Sequence, residues 1–157
     1  MRIGLISDTH DNLPNIAKAV SFFNKQRVGF LLHAGDFVAP FAVAQLKGLL
    51  CDWRGVFGNN DGERNGLALE SQGRIREAPL RIELDKRKIA LVHDIRTIDP
   101  CAGDLDICVF GHTHTAEMKT QSNTLVVNPG ECGGWLTGKS TVAVLDLASL
   151  KVELFKI

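Results

Sequence analysis

The sequence predicts a layered α/β domain, and three observations carry that prediction. Five apolar runs each stop at a residue able to bind a divalent metal, the first half alternates strand-like and helix-like patterns, and the second half is strand-rich. The runs are Ile3-Gly4-Leu5-Ile6, followed by Asp8 and His10, Phe30-Leu31-Leu32 by Asp36, Val56-Phe57 by Asn59, Ile89-Ala90-Leu91-Val92 by His93, and Ile107-Cys108-Val109-Phe110 by His112 and His114. Read as buried strands, they direct their carboxyl ends toward one crevice, where open α/β sheets hold their ligands.

Each element has a local reason. Residues 2–7 read as a buried strand, after which Asp11 and Asn12 offer capping oxygens and Pro14 suits a first helical turn. Leu13, Ile16, Ala17, Val20 and Phe23 then recur at helical spacing. A second strand covers about 28–34, and Pro40 opens another helical pattern marked by Val43, Leu46 and Leu50. Strands joined by such crossovers are parallel. The segment 58–66, with three glycines and three asparagines, has loop composition, and a short helix follows through Leu67-Ala68-Leu69.

Beyond it, Leu80-Arg81-Ile82-Glu83-Leu84 alternates like a half-exposed strand, Asp85 to Lys88 makes a polar turn, and Ile89 to Val92 returns apolar. That order predicts an antiparallel hairpin. Residues 95–104 lack periodicity and read as an exposed loop, and further strands are expected at about 105–110, 124–128, 140–146 and 150–156.

At 157 residues, with no linker or repeat, the chain is expected to form a single domain over residues 1–157. Lys plus Arg and Asp plus Glu number 18 each, so there is no broad electrostatic footprint for nucleic acid or an anionic membrane. Met1-Arg2 leads straight into the first strand without a signal-like leader, and no apolar stretch is long enough to cross a bilayer. Cys51, Cys101, Cys108 and Cys132 form no CxxC pair and are expected as free thiols of a cytoplasmic protein.

The polar endings supply two carboxylates, four imidazoles and one carboxamide, more donors than one metal usually requires. Two metals sharing a bridging carboxylate fit that count better. Taken singly, each motif has a plainer reading. Asp8 could cap the next helix, and Gly35-Asp36 and Gly58-Asn59-Asn60-Asp61 could be tight turns. His93 could be a boundary residue, whereas the pair in Gly111-His112-Thr113-His114 is rarely needed for packing and suits metal ligation. His33, short of a strand end, reads as a structural histidine or a partner to a ligand, and Asn128-Pro129-Gly130 as a turn or a polar group near the cleft. Trp53, Phe110, Trp135 and Phe155 read as core or interface residues rather than substrate contacts.

In order and spacing, these residues resemble the calcineurin-like metallophosphoesterase superfamily, with its D-x-H, G-D, G-N-x-[DE], lone His and G-H-x-H pattern. The short length resembles the small prokaryotic phosphodiesterases that share their fold with a retromer subunit. The resemblance implies a four-layer α/β/β/α sandwich of two mixed sheets flanked by helices. It also implies two divalent metals, manganese foremost, with nickel, iron or zinc as alternatives. Asp8, His10 and His114 would hold one, Asn59, His93 and His112 the other, and Asp36 would bridge both. Asp36, Asn59 and His93 would act catalytically through the metals, with no side-chain nucleophile.

The implied activity is hydrolysis of a small phosphodiester by in-line attack of a hydroxide bridging the two metals. Phosphomonoester hydrolysis and a non-catalytic protein-binding scaffold are the alternatives. Neutral charge argues against a nuclease, no membrane partner is expected, and homo-oligomerisation is left open. Asn60 and Asp61 are the candidate substrate contacts. Asn60 stands where many larger relatives carry His, and an amide is no general acid, so aryl leaving groups should be favoured over alkyl unless Asp61 helps. Asp94 stands where relatives often carry Gly and could orient His93, tune the metal charge or face water.

Overall fold

The computed structural model describes residues 1–157. In the first half, β1 (Arg2–Ile6), β2 (Phe30–His33) and β3 (Asp52–Val56) alternate with α1 (Leu13–Gln26) and with α2 (Pro40–Ala44), which runs into a 3-10 turn at Gln45–Gly48. Helix α3 (Arg64–Glu70) leads into β4 (Ile75–Arg76). The second half is β5 (Leu80–Leu84), β6 (Arg87–Leu91), β7 (Ile107–Val109), β8 (Glu117–Gln121), β9 (Thr124–Asn128), β10 (Thr141–Asp146) and β11 (Val152–Lys156).

Two sheets result, ordered β11-β10-β1-β2-β3-β4 and β5-β6-β7-β9-β8. Strands β1 to β4 are mutually parallel while β10 and β11 pair antiparallel at one edge. In the second sheet β6, β7 and β9 are parallel, with antiparallel β5 and β8 at the edges. Both sheets are therefore mixed.

Alternation of side chains along the strands sets the layers. Ile3, Leu5, Leu32, Ala143 and Leu145 face the second sheet and pack on Ile89, Leu91, Ile107, Val109 and Val127. Ile6, Leu31, Val142 and Val144 face the other way, onto Ile16, Val20 and Phe23 of α1. Gly4 leaves the room Phe23 needs, since a Cβ there would lie 2.7 Å from its ring. The fourth layer is thin: Ile95, which opens a 3-10 turn at Ile95–Thr97, and Ile98, which follows it, cover Val92, Cys108, Phe110 and Val126.

Local signals account for several boundaries. The Asn12 side chain accepts from Asn15 N–H at 3.2 Å and caps α1, with Pro14 in its first turn. The β5–β6 hairpin closes through Asp85 and Lys86 alone, both at positive φ as a type I′ turn requires. Leu50 departs from expectation: helix geometry ends at Gly48, and Leu50 is exposed. Two strands lacked a readable signal. β4 has only two residues, and β8 is an edge strand whose Glu-Met-Lys-Thr-Gln run is almost wholly exposed, so no alternation marks it.

Candidate metal centre

All seven candidate ligands follow the carboxyl ends of parallel strands: Asp8 and His10 follow β1, Asp36 β2, Asn59 β3, His93 β6, and His112 and His114 β7. What turns them inward is the backbone. Asp8, His10, Asp36, His112 and His114 all adopt positive φ, between 41° and 67°. Non-glycine residues are uncommon there, and such strain gathers where surrounding structure over-determines it. Here the determinants are hydrogen bonds between loops. Asp8 N–H donates to Gly35 O at 3.0 Å, and Thr9 and His10 N–H both donate to Asp36 O at 3.1 Å. His112 N–H reaches both Asp8 carboxylate oxygens at 3.2 Å.

The side chains form two groups that meet at Asp36. In the first, Asp8, His10, Asp36 and His114 each offer one donor atom, all within 4.8 Å of one another. In the second, Asn59 Oδ1 lies 2.9 Å from both His93 Nε2 and His112 Nδ1, and His93 Nε2 is 3.5 Å from Asp36 Oδ2. Asp36 Oδ2 is also 3.5 Å from His10 Nε2. Beside the second group, a cleft of about 380 Å³ opens past Arg64, Asp94 and Arg96.

This donor set fits divalent cations. His10 Nε2 is buried without a hydrogen-bond partner although two carboxylates surround it, a position a cation would satisfy. The other three imidazoles each present one nitrogen to the cluster, and of their opposite nitrogens His93 Nδ1, 2.8 Å from Ala34 O, has the hydrogen bond that fixes a ligand ring. His112 Nε2 lies 3.3 Å from an Arg96 guanidinium nitrogen and 3.7 Å from Asp94 Oδ2. His114 Nδ1 is 3.3 Å from Glu131 Oε1, close enough for electrostatic pairing but off line for a hydrogen bond.

Burial raises the Asp8 carboxyl above its ordinary value, outweighing the Ser7 hydroxyl and the imidazoles of His93 and His114. A carboxyl raised by folding weakens the fold as pH climbs through that raised value, because the folded state must then bury a charge. Asp8 therefore withdraws stability from the metal-free protein between acidic and neutral pH while buried His33 acts in the opposite sense, so the stability of Asp8→Asn relative to wild type should rise across that range. Urea unfolding across this range checks it, and an unchanged slope in the variant would contradict it.

The structure gives hydrogen-bond partners to three further residues singled out in the sequence. Asp61 is buried beneath the cleft, its carboxylate accepting from Gly58 N–H at 2.7 Å, Val38 N–H at 2.7 Å and Asp36 N–H at 3.1 Å. It shapes the loops rather than facing the cleft. Asn60 clasps Asp36, its N–H donating to Oδ1 at 2.9 Å and its Nδ2 to Oδ2 at 2.7 Å. Asp94 makes no hydrogen bond with His93. It accepts from Arg96, whose guanidinium holds its carboxyl down at about 2, and lies toward His112.

The residues behind the ligands are equally specific. His33 is buried, stacks on Phe37 at 3.6 Å, accepts from Gly35 N–H through Nδ1 and sits 3.2 Å from Thr9 Oγ1 through Nε2. Burial pushes its pKa well down, as suits a neutral structural imidazole. Asn128 donates to Gly111 O at 2.9 Å and Thr113 Oγ1 at 3.0 Å, tying β9 to the His112–His114 loop. Cys108 and Cys132 are buried thiols pushed up to about 12, so neither offers a thiolate nucleophile.

Glu131 was not read from sequence as part of the site. Burial raises its carboxyl, but N–H groups of Thr137 and Leu136, the Thr137 hydroxyl and His114 outweigh that and hold it low. Its only sequence signal is the glycine-rich Gly130-Glu131-Cys132-Gly133-Gly134 run, which marks close backbone approach without naming the carboxylate. Of the two readings of Trp135, the core one fails: it is exposed, with its indole N–H donating to His10 O at 3.0 Å.

Two mixed sheets and a His/Asp/Asn cluster built on buried Asp8, Asp36 and His93 define a metal-dependent phosphoesterase, and the chain belongs to the calcineurin-like phosphoesterase superfamily, whose domain matches residues 1–150. It is 37% identical over 154 residues to a phosphodiesterase of Methanocaldococcus jannaschii, covering 93% of each chain. Among solved structures it resembles an archaeal phosphodiesterase over 100% of both chains, with 34% identity and a TM-score of 0.94. The fold is also that of the retromer subunit Vps29 from Entamoeba histolytica, at 20% identity and a TM-score of 0.72 over 100% and 99% of the two chains. No helix is long and apolar enough to cross a membrane.

Proposed function

We propose that this phosphoesterase hydrolyses small phosphodiesters with two divalent metals, and the observation carrying the reading is the position of Asp36. Its carboxylate oxygen Oδ2 lies 3.5 Å from His10 Nε2 in one donor group and 3.5 Å from His93 Nε2 in the other. Asp8, His10 and His114 complete one metal site, and Asn59, His93 and His112 the other. Two cations held there would activate water for in-line displacement at phosphorus and offset the charge that develops.

The chain's own residues set the rest. Asn60 holds the Asp36 carboxylate, and Glu131 faces the outer nitrogen of His114, so Glu131→Gln should weaken metal affinity about 10–100-fold. Metal titration by calorimetry reads this, and unchanged affinity would remove Glu131 from the site. The likeness to relatives named phosphodiesterases supports the diester over the monoester. An open cleft beside Asn59, His93 and His112 leaves room for a second ester group.

Neither residue next to the metal-binding Asn59 supplies an acid for the leaving group: Asn60 is an amide, and both Asp61 oxygens are occupied by backbone N–H groups. Rates should therefore depend steeply on leaving-group acidity, with aryl diesters far ahead of alkyl diesters. Equal rates for the two would show that an acid is present after all. The activity itself is tested by stripping metal and adding back manganese, nickel, iron or zinc singly, with matched aryl mono- and diesters as substrates. Diester hydrolysis returning with manganese is expected. Hydrolysis of the monoester alone would make the protein a phosphomonoesterase, and no turnover with any metal would favour a scaffold.

A further inference from the structure

We infer that Trp135 is a stacking platform for a planar ring on the substrate, so that the preferred diesters carry an aryl or nucleobase substituent. This rests on the phosphodiesterase reading above and adds to it the class of substituent. Trp135 and Leu136 are 65% and 78% exposed, which leaves a large apolar surface in water at the rim of the site. The indole is fixed in place there. Its Nε1–H donates to the backbone oxygen of His10, whose ring stacks on His114 at 5.0 Å, so one edge of the tryptophan is tied to the metal cluster.

The loop bearing it is anchored at every other point. Glu131 accepts from Trp135 N–H at 2.7 Å, Leu136 N–H at 3.1 Å, Thr137 N–H at 2.9 Å and the Thr137 hydroxyl at 2.8 Å. Gly133 N–H donates to Asp8 O at 2.9 Å, while Gly133 O accepts from Asn12 Nδ2 at 2.7 Å and Asn15 Nδ2 at 3.1 Å. The ring is thus pre-positioned on rigid backbone, and little conformational freedom is lost when a second ring covers it. Aromatic stacking is tolerant of which ring it meets, because aryl groups and nucleobases both present a π face. The hydrogen bond to His10 O accounts for where the indole sits but leaves its face uncovered, and a substrate ring lying beside a phosphoryl group at the cluster would cover that face.

The test compares calorimetric binding of thymidine 5′-monophosphate, phenyl phosphate, ribose 5-phosphate and inorganic phosphate to the metal-loaded protein. The two ring-bearing ligands should bind tighter than the two without rings, and the tighter of the pair names the ring class. Trp135→Ala should weaken ring-bearing ligands about tenfold and leave inorganic phosphate unchanged. Trp135→Phe should recover part of the loss. Ring-bearing ligands should also quench tryptophan emission, and that quench should vanish in Trp135→Phe although Trp53 remains. Equal affinities for all four ligands, or an unchanged pattern in Trp135→Ala, would overturn the platform even if aryl diesters are hydrolysed. Ring-dependent quenching in a protein that hydrolyses no ester would instead keep the platform and overturn the phosphodiesterase reading.

Discussion

Asp36→Asn is expected to lower diester hydrolysis on the order of a thousandfold, the scale found when a group stabilising transition-state charge is removed. The loss should come with little damage to the metal-free fold. Asp36 is buried beside Asp8, and its charge helps to raise the Asp8 carboxyl, so neutralising it relieves a repulsion while surrendering one bond from Asn60. Thermal unfolding with and without metal separates the effects. The variant should unfold near the wild-type temperature without metal, and the rise that metal produces in the wild type should be mostly lost. A variant that keeps both its rate and its metal-induced stabilisation would remove Asp36 from the centre of the site.

Gly58→Ala should be nearly as damaging for a different reason. A Cβ at Gly58 would lie 2.5 Å from Asp36 N and 2.8 Å from Asp36 Cγ, and would meet Oδ1 more closely still. Real side chains do not approach so closely, so the loop or the carboxylate must move. Overpacking of this kind typically costs about 1–3 kcal/mol. Displacing a catalytic group by about 1 Å can cost about a hundredfold in rate. Urea unfolding and steady-state hydrolysis should therefore both register the change, and normal activity in Gly58→Ala would show that Asp36 has slack the structure does not display. Asp61→Asn probes the same corner from below, because its carboxylate gathers the N–H groups of Asp36, Val38 and Gly58.

The ligand positions were legible because a strand buried on both faces leaves a continuous apolar signature, and the residue that ends it stands out. All seven candidate residues follow strand ends, and four of them, Asp8, His10, Asp36 and His114, bring donor atoms within 4.8 Å of one another. Which ligand faces which neighbour was not legible from spacing, since it depends on five positive-φ turns that no periodicity encodes. Asp61 shows the difficulty: in Gly58-Asn59-Asn60-Asp61 each polar residue is an equal candidate, and only the folded turn sends one carboxylate inward onto N–H groups. Strand β8 escaped because an exposed edge need not alternate, and Glu131 because a carboxylate in a glycine-rich turn carries no pattern. Trp135, an apolar position outside the strand ends, was read as core or interface. Its exposure reflects the hydrogen bond to His10 O, which joins residues 125 positions apart.

The most direct test of the two-metal account is stepwise loading of metal-stripped protein with manganese, reading bound metal by elemental analysis and aryl diester hydrolysis on the same samples. Asp36 shared between two donor groups predicts two ions per chain, with activity rising mainly as the second binds. Full activity at one ion per chain would contradict it.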